Sequence, residues 1–211
     1  MICGVDEAGK GAVLGPMVVG AVGCEREADL PAGVRDSKAL TPRQRERLYA
    51  EITGSFPWTV VEISAAEIDR LRREMTMNAL VARGHADAIR ALAPLTAYVD
   101  ACDVNEERYG TTVAALLGGA CTVVARHHGD ALFPVVSAAS IVAKVTRDHA
   151  IEALHAEEGE IGSGYPSDQA TITYLKDYIS GHGMPPACAR QSWETVARLM
   201  DRRHQATLGD F

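Results

Sequence analysis

The sequence predicts an α/β fold, a mixed five-stranded sheet flanked by helices, with a helical C-terminal extension. Short apolar segments alternate with helical patterns in the first part of the chain, whereas from Ser137 onward the pattern is helical almost to the end. In addition, 47% of the 211 residues are hydrophobic but only 5% are aromatic. An interior built from Ala, Val, Leu and Ile suits a buried sheet covered by helices.

Five short apolar segments are predicted to form the strands. The first two are separated by a glycine-rich turn and have the spacing of an antiparallel hairpin with a long loop. The fourth delivers Asp100 at its carboxyl end, which is where α/β proteins place ligands. The five segments are residues 2–5, 17–22, 59–63, 95–99 and 121–125.

Capping signals indicate where the helices begin. Thr41 and Pro42 supply an N-cap and a proline for the first helical position. Ser64 is followed three residues later by Glu67, the pattern of a capping box. The helices predicted before Ser137 cover residues 43–52, 64–92 and 106–117.

Glycine- and proline-containing segments at 162–166 and 181–186 interrupt the later helical pattern. We therefore expect three parts along the chain. They are a catalytic domain over 1–160, a helical substrate-binding extension over 161–204 and a tail over 205–211.

Charge and cysteine content exclude several classes of protein. The net charge of −7 argues against a protein that coats nucleic acid without specificity, although local basic clusters can still contact phosphates. Five widely spaced cysteines without a C-x2-C pair indicate neither a disulfide framework nor a zinc site. Any metal is therefore expected to be held by oxygen ligands.

No segment approaches the roughly 20 apolar residues of a membrane span, and the N-terminus has no basic signal region. We expect a cytoplasmic protein that does not associate with membranes. Nothing in the sequence requires a dimer, so a monomer is expected.

The densest chemical signal is Asp6-Glu7-Ala8-Gly9-Lys10-Gly11, directly after the first apolar segment. It combines ligands for a hard divalent cation with backbone that can approach a phosphate. A nucleotide-binding P-loop is disfavoured, because Gly11 stands where that motif needs a hydroxyl and two carboxylates would face the triphosphate.

Two further carboxylates, Asp100 and Asp130, follow strand-like segments, so separate parts of the chain could converge on one metal site. A polar helix face is also predicted, because its members are spaced by three, four and three residues. That face consists of Ser137, Ser140, Lys144 and Arg147. A solvated helix face is the alternative reading of this spacing.

With these motifs the sequence resembles ribonuclease HII, the type 2 ribonuclease H family, and specifically its archaeal branch. The resemblance spans most of the chain in ordered blocks. The blocks are residues 6–11 with 15–16, 36–38, 99–101, 130 with 133–140, 144–148 and 162–168.

The resemblance implies an RNase H-like core and an endonuclease that hydrolyses the RNA strand of RNA/DNA hybrids. It also implies nicking on the 5′ side of single ribonucleotides embedded in duplex DNA. Asp6, Glu7, Asp100 and Asp130 match the family's four acidic catalytic residues, which bind Mg²⁺ or Mn²⁺. Two ions would activate a water and stabilise the leaving 3′ oxygen, so no histidine nucleophile is needed.

The resemblance also implies substrate contacts. Gly9, Lys10 and Gly11 match the loop that contacts the 2′-hydroxyl side of the RNA-to-DNA junction, and Tyr165 matches the tyrosine that packs on the following sugar. Arginine is the commoner residue at the position of Lys10, and lysine keeps the charge but loses the planar fork. The remaining expected substrate contacts are Ser37, Lys38, Ser137, Ser140, Lys144 and Arg147.

The directions of the Asp6 and Glu7 side chains pose a geometric problem for a single metal site. Asp6 and Glu7 are neighbours, and their side chains would point to opposite faces of a regular strand. Either a bulge near Gly9 or a metal contact through the Glu7 carbonyl would reconcile them with one site.

The C-terminal segment contains a basic cluster and a motif-like end. Arg190, Arg198, Arg202 and Arg203 either track duplex phosphates or form a solvated helix face. The last residues have the form Q-x-x-L-x-x-F, which looks like the tail by which replication proteins bind a sliding clamp. Its anchors would be Gln205, Leu208 and Phe211, and a frayed tail is the alternative.

The leading hypothesis is thus a metal-dependent endonuclease for hybrids and misincorporated ribonucleotides, acting in ribonucleotide repair and RNA primer removal. A non-cleaving hybrid-binding module would require a change at one of the four acidic positions, and none is changed. An NTPase is the third hypothesis, already disfavoured by Gly11.

Overall fold

The computed structural model describes residues 1–34 and 40–209, and the side chains of residues 202–209 are not described. The predicted substrate residues Ser37 and Lys38 lie outside the described residues, as does Phe211 of the predicted clamp-binding motif.

The sheet has five strands in the order β3-β2-β1-β4-β5. Strand β1 is antiparallel to β2 and parallel to β4, and β4 is parallel to β5, so the predicted mixed sheet and N-terminal hairpin are confirmed. The strands are β1 (Ile2–Ala8), β2 (Met17–Cys24), β3 (Trp58–Ile63), β4 (Thr96–Asp100) and β5 (Thr122–Arg126).

Each strand extends one to three residues beyond the predicted apolar segment, or is shifted by one residue. The extension of β1 matters most, because it brings Asp6 and Glu7 into the sheet. The apolar pattern did not predict this extension, because strands are recognised in sequence from their apolar residues and carboxylates do not belong to that pattern.

The described helices agree with the predicted pattern with two exceptions: the segment predicted as one helix over 64–92 contains two, and a short helix over 129–132 was not predicted. They are α1 (Pro42–Ser55), α2 (Ala65–Leu71), α3 (Met77–Leu92), α4 (Glu106–Leu116), α5 (Gly129–Leu132), α6 (Pro134–Glu158), α7 (Gln169–His182) and α8 (Glu194–Gly209). The prediction of one helix over 64–92 was wrong. Thr76 starts a new helix by accepting a hydrogen bond from the Ala79 N–H at 3.2 Å, just as Ser64 caps α2.

The chain divides into two compact units built from interleaved segments. The first comprises residues 1–8, 18–62 and 76–146, and the second comprises residues 9–17, 63–75 and 147–211. The three predicted domains follow simpler boundaries and remain a prediction. No helix in the described part of the chain is both long and apolar enough to cross a membrane.

In the first unit, α6 packs so closely on the sheet that two strand glycines have no room for a side chain. A Cβ at Gly4 would lie 2.2 Å from the Val135 carbonyl carbon, and a Cβ at Gly20 would lie 2.7 Å from the Ala139 carbonyl oxygen. The helix begins at Pro134, and the Val135 N–H donates to the Glu27 carboxylate at 3.2 Å. Strand β1 is therefore held at a fixed distance from α6.

The second unit has its own apolar core, in which the segment after Gly9 packs against the later helices. Val13, Leu14, Ile151, Ile161 and Leu175 are among its buried members. Leu14 forms a bridge with Ala189, and the Val13 and Leu14 N–H groups both donate to the Gly164 carbonyl. The loop that follows β1 is thus anchored by backbone hydrogen bonds within this unit.

Candidate active site

Four carboxylates occur where the chain leaves neighbouring parallel strands. Asp6 and Glu7 lie near the carboxyl end of β1, Asp100 ends β4, and Asp130 lies in α5 just after β5. Because β1 and β4 pair in parallel through Val5 and Val99, their carboxyl ends meet at one edge of the sheet.

Asp6 is 7% exposed and carries a strongly perturbed carboxyl group. Burial raises the pKa of Asp6 well above its ordinary value, and the charge of Glu7 raises it further. Hydrogen bonds from the Ser140 hydroxyl and from the Glu7 N–H, at 2.7 Å, act in the opposite direction. The predicted Ser140 therefore contacts a candidate metal ligand.

The backbone of the residue before Asp130 holds the Asp100 side chain in place. Its carboxylate accepts a 2.9 Å hydrogen bond from the Gly129 N–H. Burial raises the pKa of Asp100, the Gly129 hydrogen bond lowers it, and the charges of Glu7 and Asp130 raise it. The four carboxylates are thus electrostatically linked within one unit.

Among the described residues, no three or more His, Cys, Asp or Glu side chains lie close enough together to hold a metal ion as they stand. Asp6, Glu7 and Asp100 are each engaged in a local hydrogen bond instead. The donor set nevertheless fits a hard cation, because all the candidate ligands are oxygens. A bound divalent cation would also offset the burial and mutual repulsion that raise the pKa values of Asp6 and Asp100.

Asp6 and Glu7 lie on opposite faces of β1, and the strand contains no bulge. It pairs with β2 residue for residue from Ile2 to Ala8, and Gly9 then begins the turn with a φ of 83°. Asp6 faces Ser140 of α6, whereas the Glu7 carboxylate is 3.0 Å from His85 of α3. A bulge near Gly9 therefore does not bring the two side chains together.

The predicted substrate loop belongs to the second unit and is fixed through its backbone. The Arg190 guanidinium donates to the Lys10 carbonyl at 3.0 Å and to the Gly15 carbonyl at 3.1 Å. Arg190 is fully buried, and burial lowers its pKa to about 9. The expectation that Arg190 lies on a phosphate-tracking surface was wrong, because its charged group is used inside the fold.

Tyr165 and Arg147 form a second feature of this unit. The Arg147 guanidinium lies 4.5 Å from the Tyr165 ring centre and donates to the Ser163 carbonyl at 3.1 Å. A Cβ at Gly9 would lie 2.4 Å from the Arg147 Nε. Only glycine fits at that position, so the first glycine of the loop is required by packing.

The four residues predicted on one face of α6 have different surroundings. Ser137 is buried and donates its hydroxyl to the Val34 carbonyl, Ser140 contacts Asp6, Lys144 is exposed and Arg147 is buried. The alternative of one solvated face does not describe them. Their substrate roles stay a prediction.

The C-terminal motif residues Gln205 and Leu208 lie in α8, which continues to Gly209. Arg198 pairs with Glu194 at 3.1 Å on the exposed side of that helix. Trp193 contributes to the core of the second unit, with the Arg190 guanidinium 5.0 Å from its ring centre.

Comparison with known proteins decides the family. Residues 3–196 match the family model described as Ribonuclease HII. The chain belongs to the ribonuclease HII family. Ribonuclease HII from Methanospirillum hungatei JF-1 is 59% identical over 212 residues, covering the whole of both chains. As a ribonuclease H, this protein is an endoribonuclease that acts on RNA/DNA hybrids.

Two solved archaeal structures have the same fold as this ribonuclease HII. Ribonuclease H2 from Pyrococcus horikoshii OT3 is 40% identical, with a TM-score of 0.88 over 97% of this chain and 99% of its own. Ribonuclease HII of Archaeoglobus fulgidus, solved as a complex with PCNA, is 41% identical, with a TM-score of 0.87 over 92% of this chain and 95% of that one.

Sequence reasoning missed two residues of this ribonuclease HII that lie beside the carboxylates. His85 contacts Glu7, and Tyr109 of α4 contacts His85. The available signal was a single histidine between Val81 and Ile89 on the apolar stripe of α3. A buried structural histidine gives the same pattern, so spacing could not identify its partner.

Proposed function

We propose that this ribonuclease HII nicks duplex DNA on the 5′ side of single embedded ribonucleotides, leaving 5′-phosphate and 3′-hydroxyl ends. It would serve in ribonucleotide excision repair and in removal of RNA primers. The observation that supports this most strongly is the set of linked carboxylates at the ends of β1 and β4 and in α5, in a chain of this family.

Asp6, Glu7, Asp100 and Asp130 are proposed to hold the metal ions, two during catalysis, as Mg²⁺ or Mn²⁺. When bound, such cations supply an activated water and stabilise the charge on the leaving 3′ oxygen. The protein's own contribution is a rigid set of oxygens. Ser140 and the Gly129 N–H orient Asp6 and Asp100, and the sheet fixes the spacing of the strands.

Gly9, Lys10 and Gly11 are proposed to contact the ribonucleotide, with Tyr165 packing on the next sugar. The support is a loop whose backbone is held by Arg190 and a tyrosine ring held against Arg147. A loop held in this way can discriminate a hydroxyl, because its donors and acceptors lose little entropy on binding. Ser37, Lys38 and Lys144 would add contacts to the nucleic-acid backbone.

The test uses end-labelled duplex DNA that contains one ribonucleotide, together with an all-DNA duplex and a continuous RNA/DNA hybrid. The protein is incubated with each in Mg²⁺ and in Mn²⁺, and cuts are mapped to the nucleotide. We expect one metal-dependent nick 5′ of the ribonucleotide and no cut in the all-DNA duplex.

Asp6→Asn should abolish that nick, because it removes a candidate ligand without removing core volume. Asp87→Asn is the matched control, since Asp87 is half-exposed and its carboxylate pairs with Arg90 at 2.6 Å on α3. Retained nicking by Asp6→Asn in Mg²⁺ would contradict the assigned site. Cutting of the hybrid without nicking at the single ribonucleotide would contradict the proposed specificity.

A sliding clamp is proposed as the protein partner. The support is the C-terminal Q-x-x-L-x-x-F pattern and the existence of the PCNA complex of the Archaeoglobus fulgidus relative. Deleting residues 205–211 should abolish binding to the cognate clamp in a pull-down while leaving cleavage of free substrate unchanged. Equal clamp binding by the deletion variant would exclude this tail as the contact.

A further inference from the structure

A buried histidine lies directly behind one of the candidate metal ligands. His85 is 0% exposed, and its Nε2 is 3.0 Å from the Oε2 of Glu7, whose side chain is 11% exposed. A carboxylate can only accept a hydrogen bond, so Nε2 must carry the proton and donate it. One oxygen of Glu7 is therefore committed to His85.

The other imidazole nitrogen is held by a second buried side chain. The Tyr109 hydroxyl is 3.0 Å from His85 Nδ1, and the two rings meet edge-on with centres 5.7 Å apart. Burial, as the largest cause, raises the pKa of Tyr109, so its hydroxyl keeps its proton. Tyr109 can then donate to Nδ1, which fixes the tautomer that donates to Glu7.

Glu7 has a physical need for such support. Its charge raises the pKa of both Asp6 and Asp100, so it sits among like charges. Ligating carboxylates in metalloproteins are commonly hydrogen-bonded in this way by residues that do not touch the metal.

A purely structural role does not account for the arrangement. A histidine on the apolar stripe of α3 costs desolvation that a leucine would not, and the contacts of His85 with Glu7 and Tyr109 offset part of that cost. The chain of hydrogen bonds ends at a candidate ligand.

We propose that His85, fixed by Tyr109, is a positioning residue that holds Glu7 in place. It thereby fixes the oxygen, from the carboxylate or from the backbone carbonyl, that Glu7 offers to a divalent cation. The inference rests on the proposed metal-dependent function. It concerns the affinity for the cation rather than contact with the nucleic acid.

The test measures Mn²⁺ binding to the full-length protein without nucleic acid. Electron paramagnetic resonance reports the concentration of free Mn²⁺ during the titration. His85→Leu removes the donor at similar volume and should raise the Mn²⁺ dissociation constant about 10- to 100-fold. Tyr109→Phe should raise the dissociation constant by a smaller factor, because His85 remains in place and only the hydrogen bond that fixes its tautomer is lost. His85→Gln should retain most of the affinity, since its amide N–H can still donate.

Val113→Ala is the matched control for stability. Val113 is fully buried one turn after Tyr109 on α4, and its side chain is apolar. This variant should lose folding stability but keep the wild-type dissociation constant for Mn²⁺. A similar loss of affinity in Val113→Ala would show that loosening α4 is sufficient, and would overturn the proposal.

The remaining outcomes separate this inference from the proposed function. If the wild type binds Mn²⁺ but cuts no ribonucleotide-containing substrate, the function fails while the binding comparison still decides the role of His85. If His85→Leu does not fold, Tyr109→Phe and His85→Gln decide it. A folded His85→Leu or Tyr109→Phe with wild-type affinity would refute the inference.

Discussion

The carboxyl group of Asp6 works against the stability of the metal-free protein. Its pKa is raised by burial and by the charge of Glu7, so ionisation costs more in the folded chain than in the unfolded one. A group of this kind destabilises the fold once the pH exceeds its unfolded pKa. The carboxylate that we propose as a metal ligand is thus one that the metal-free fold would be more stable without.

Asp6→Asn should therefore stabilise the metal-free protein while abolishing cleavage. The expected rise in Tm in EDTA at neutral pH is about 2–4 °C, the effect of about 1 kcal/mol in a chain of this size. Differential scanning calorimetry measures it, with Asp87→Asn as the control that should show no rise. A lower Tm for Asp6→Asn would contradict the predicted cost of burying the ionised Asp6 carboxylate.

The same shift sets a pH dependence for the wild type. As the pH rises from the ordinary aspartate pKa of 3.8 toward the raised folded value, the metal-free protein should lose stability from this group. Urea unfolding in EDTA at several pH values measures the trend. Asp6→Asn removes the group, so the difference in stability between variant and wild type should grow with pH over that window.

Gly9 and Gly11, which flank Lys10, differ in the space available for a side chain. Gly9 has a positive φ and no space for a Cβ, whereas a Cβ at Gly11 would meet nothing within 4 Å. Gly9→Ala should lower the free energy of unfolding by about 1–3 kcal/mol, and Gly11→Ala should leave it unchanged. Chemical denaturation measures both. Weaker nicking by a stable Gly11→Ala would locate a substrate contact at that backbone, and equal destabilisation by both would contradict the packing argument.

At the scale of single residues, the four carboxylates could be selected as candidates because they occur in recognisable local motifs, and their role stays a prediction. His85 and Arg190 could not, because their partners are distant in the chain. His85 contacts Glu7 across 78 positions, and Arg190 contacts Lys10 across 180 positions. Spacing in sequence carries no information on such contacts.

At the scale of elements, the contact between β1 and α6 determines where Asp6 lies. It depends on Gly4, where backbone atoms of Val135 occupy the space that a side chain would need. The hairpin, the strand order along the chain and most helices could be predicted from apolar periodicity and capping residues. The break before Thr76 could not, because helical periodicity continues through it and only the new cap reveals it.

Gly4→Ala should disrupt this contact. A Cβ 2.2 Å from backbone atoms forces the strand and helix apart, and we expect a loss of about 3 kcal/mol in the free energy of unfolding. Gly54→Ala is the matched control, since Gly54 is an exposed helical residue of α1 with open space around it. That change should stabilise by about 0.5–1 kcal/mol. Equal unfolding midpoints for the two variants in urea would contradict the close contact.

At the scale of the whole molecule, the net charge of −7 and the linked carboxylates lead us to expect that a bound cation adds to folding stability. A ligand that binds only the folded state stabilises it by about 2.7 kcal/mol at a hundred times its dissociation constant. For a chain of this size, that corresponds to a rise in Tm of roughly 5–10 °C.

We therefore expect Mn²⁺ to raise the Tm in a saturable manner. Asp100→Asn should reduce the rise, because it removes a carboxylate linked to Glu7 and Asp130. Asp87→Asn should retain it. A metal-dependent rise that is equal in both variants would indicate that the cation binds elsewhere on the protein.

The alternation of Asp6 and Glu7 along an unbroken strand places different helices beside the two residues, on opposite faces of the sheet. Changes on α6 act on the site through Asp6, whereas changes on α3 and α4 act through Glu7. If these carboxylates bind the cation as proposed, we expect substitutions on the α3 side to change metal preference while the contacts on the α6 side are kept. A library intended to retune the enzyme for a different cation should therefore randomise the neighbours of His85 and Tyr109 first.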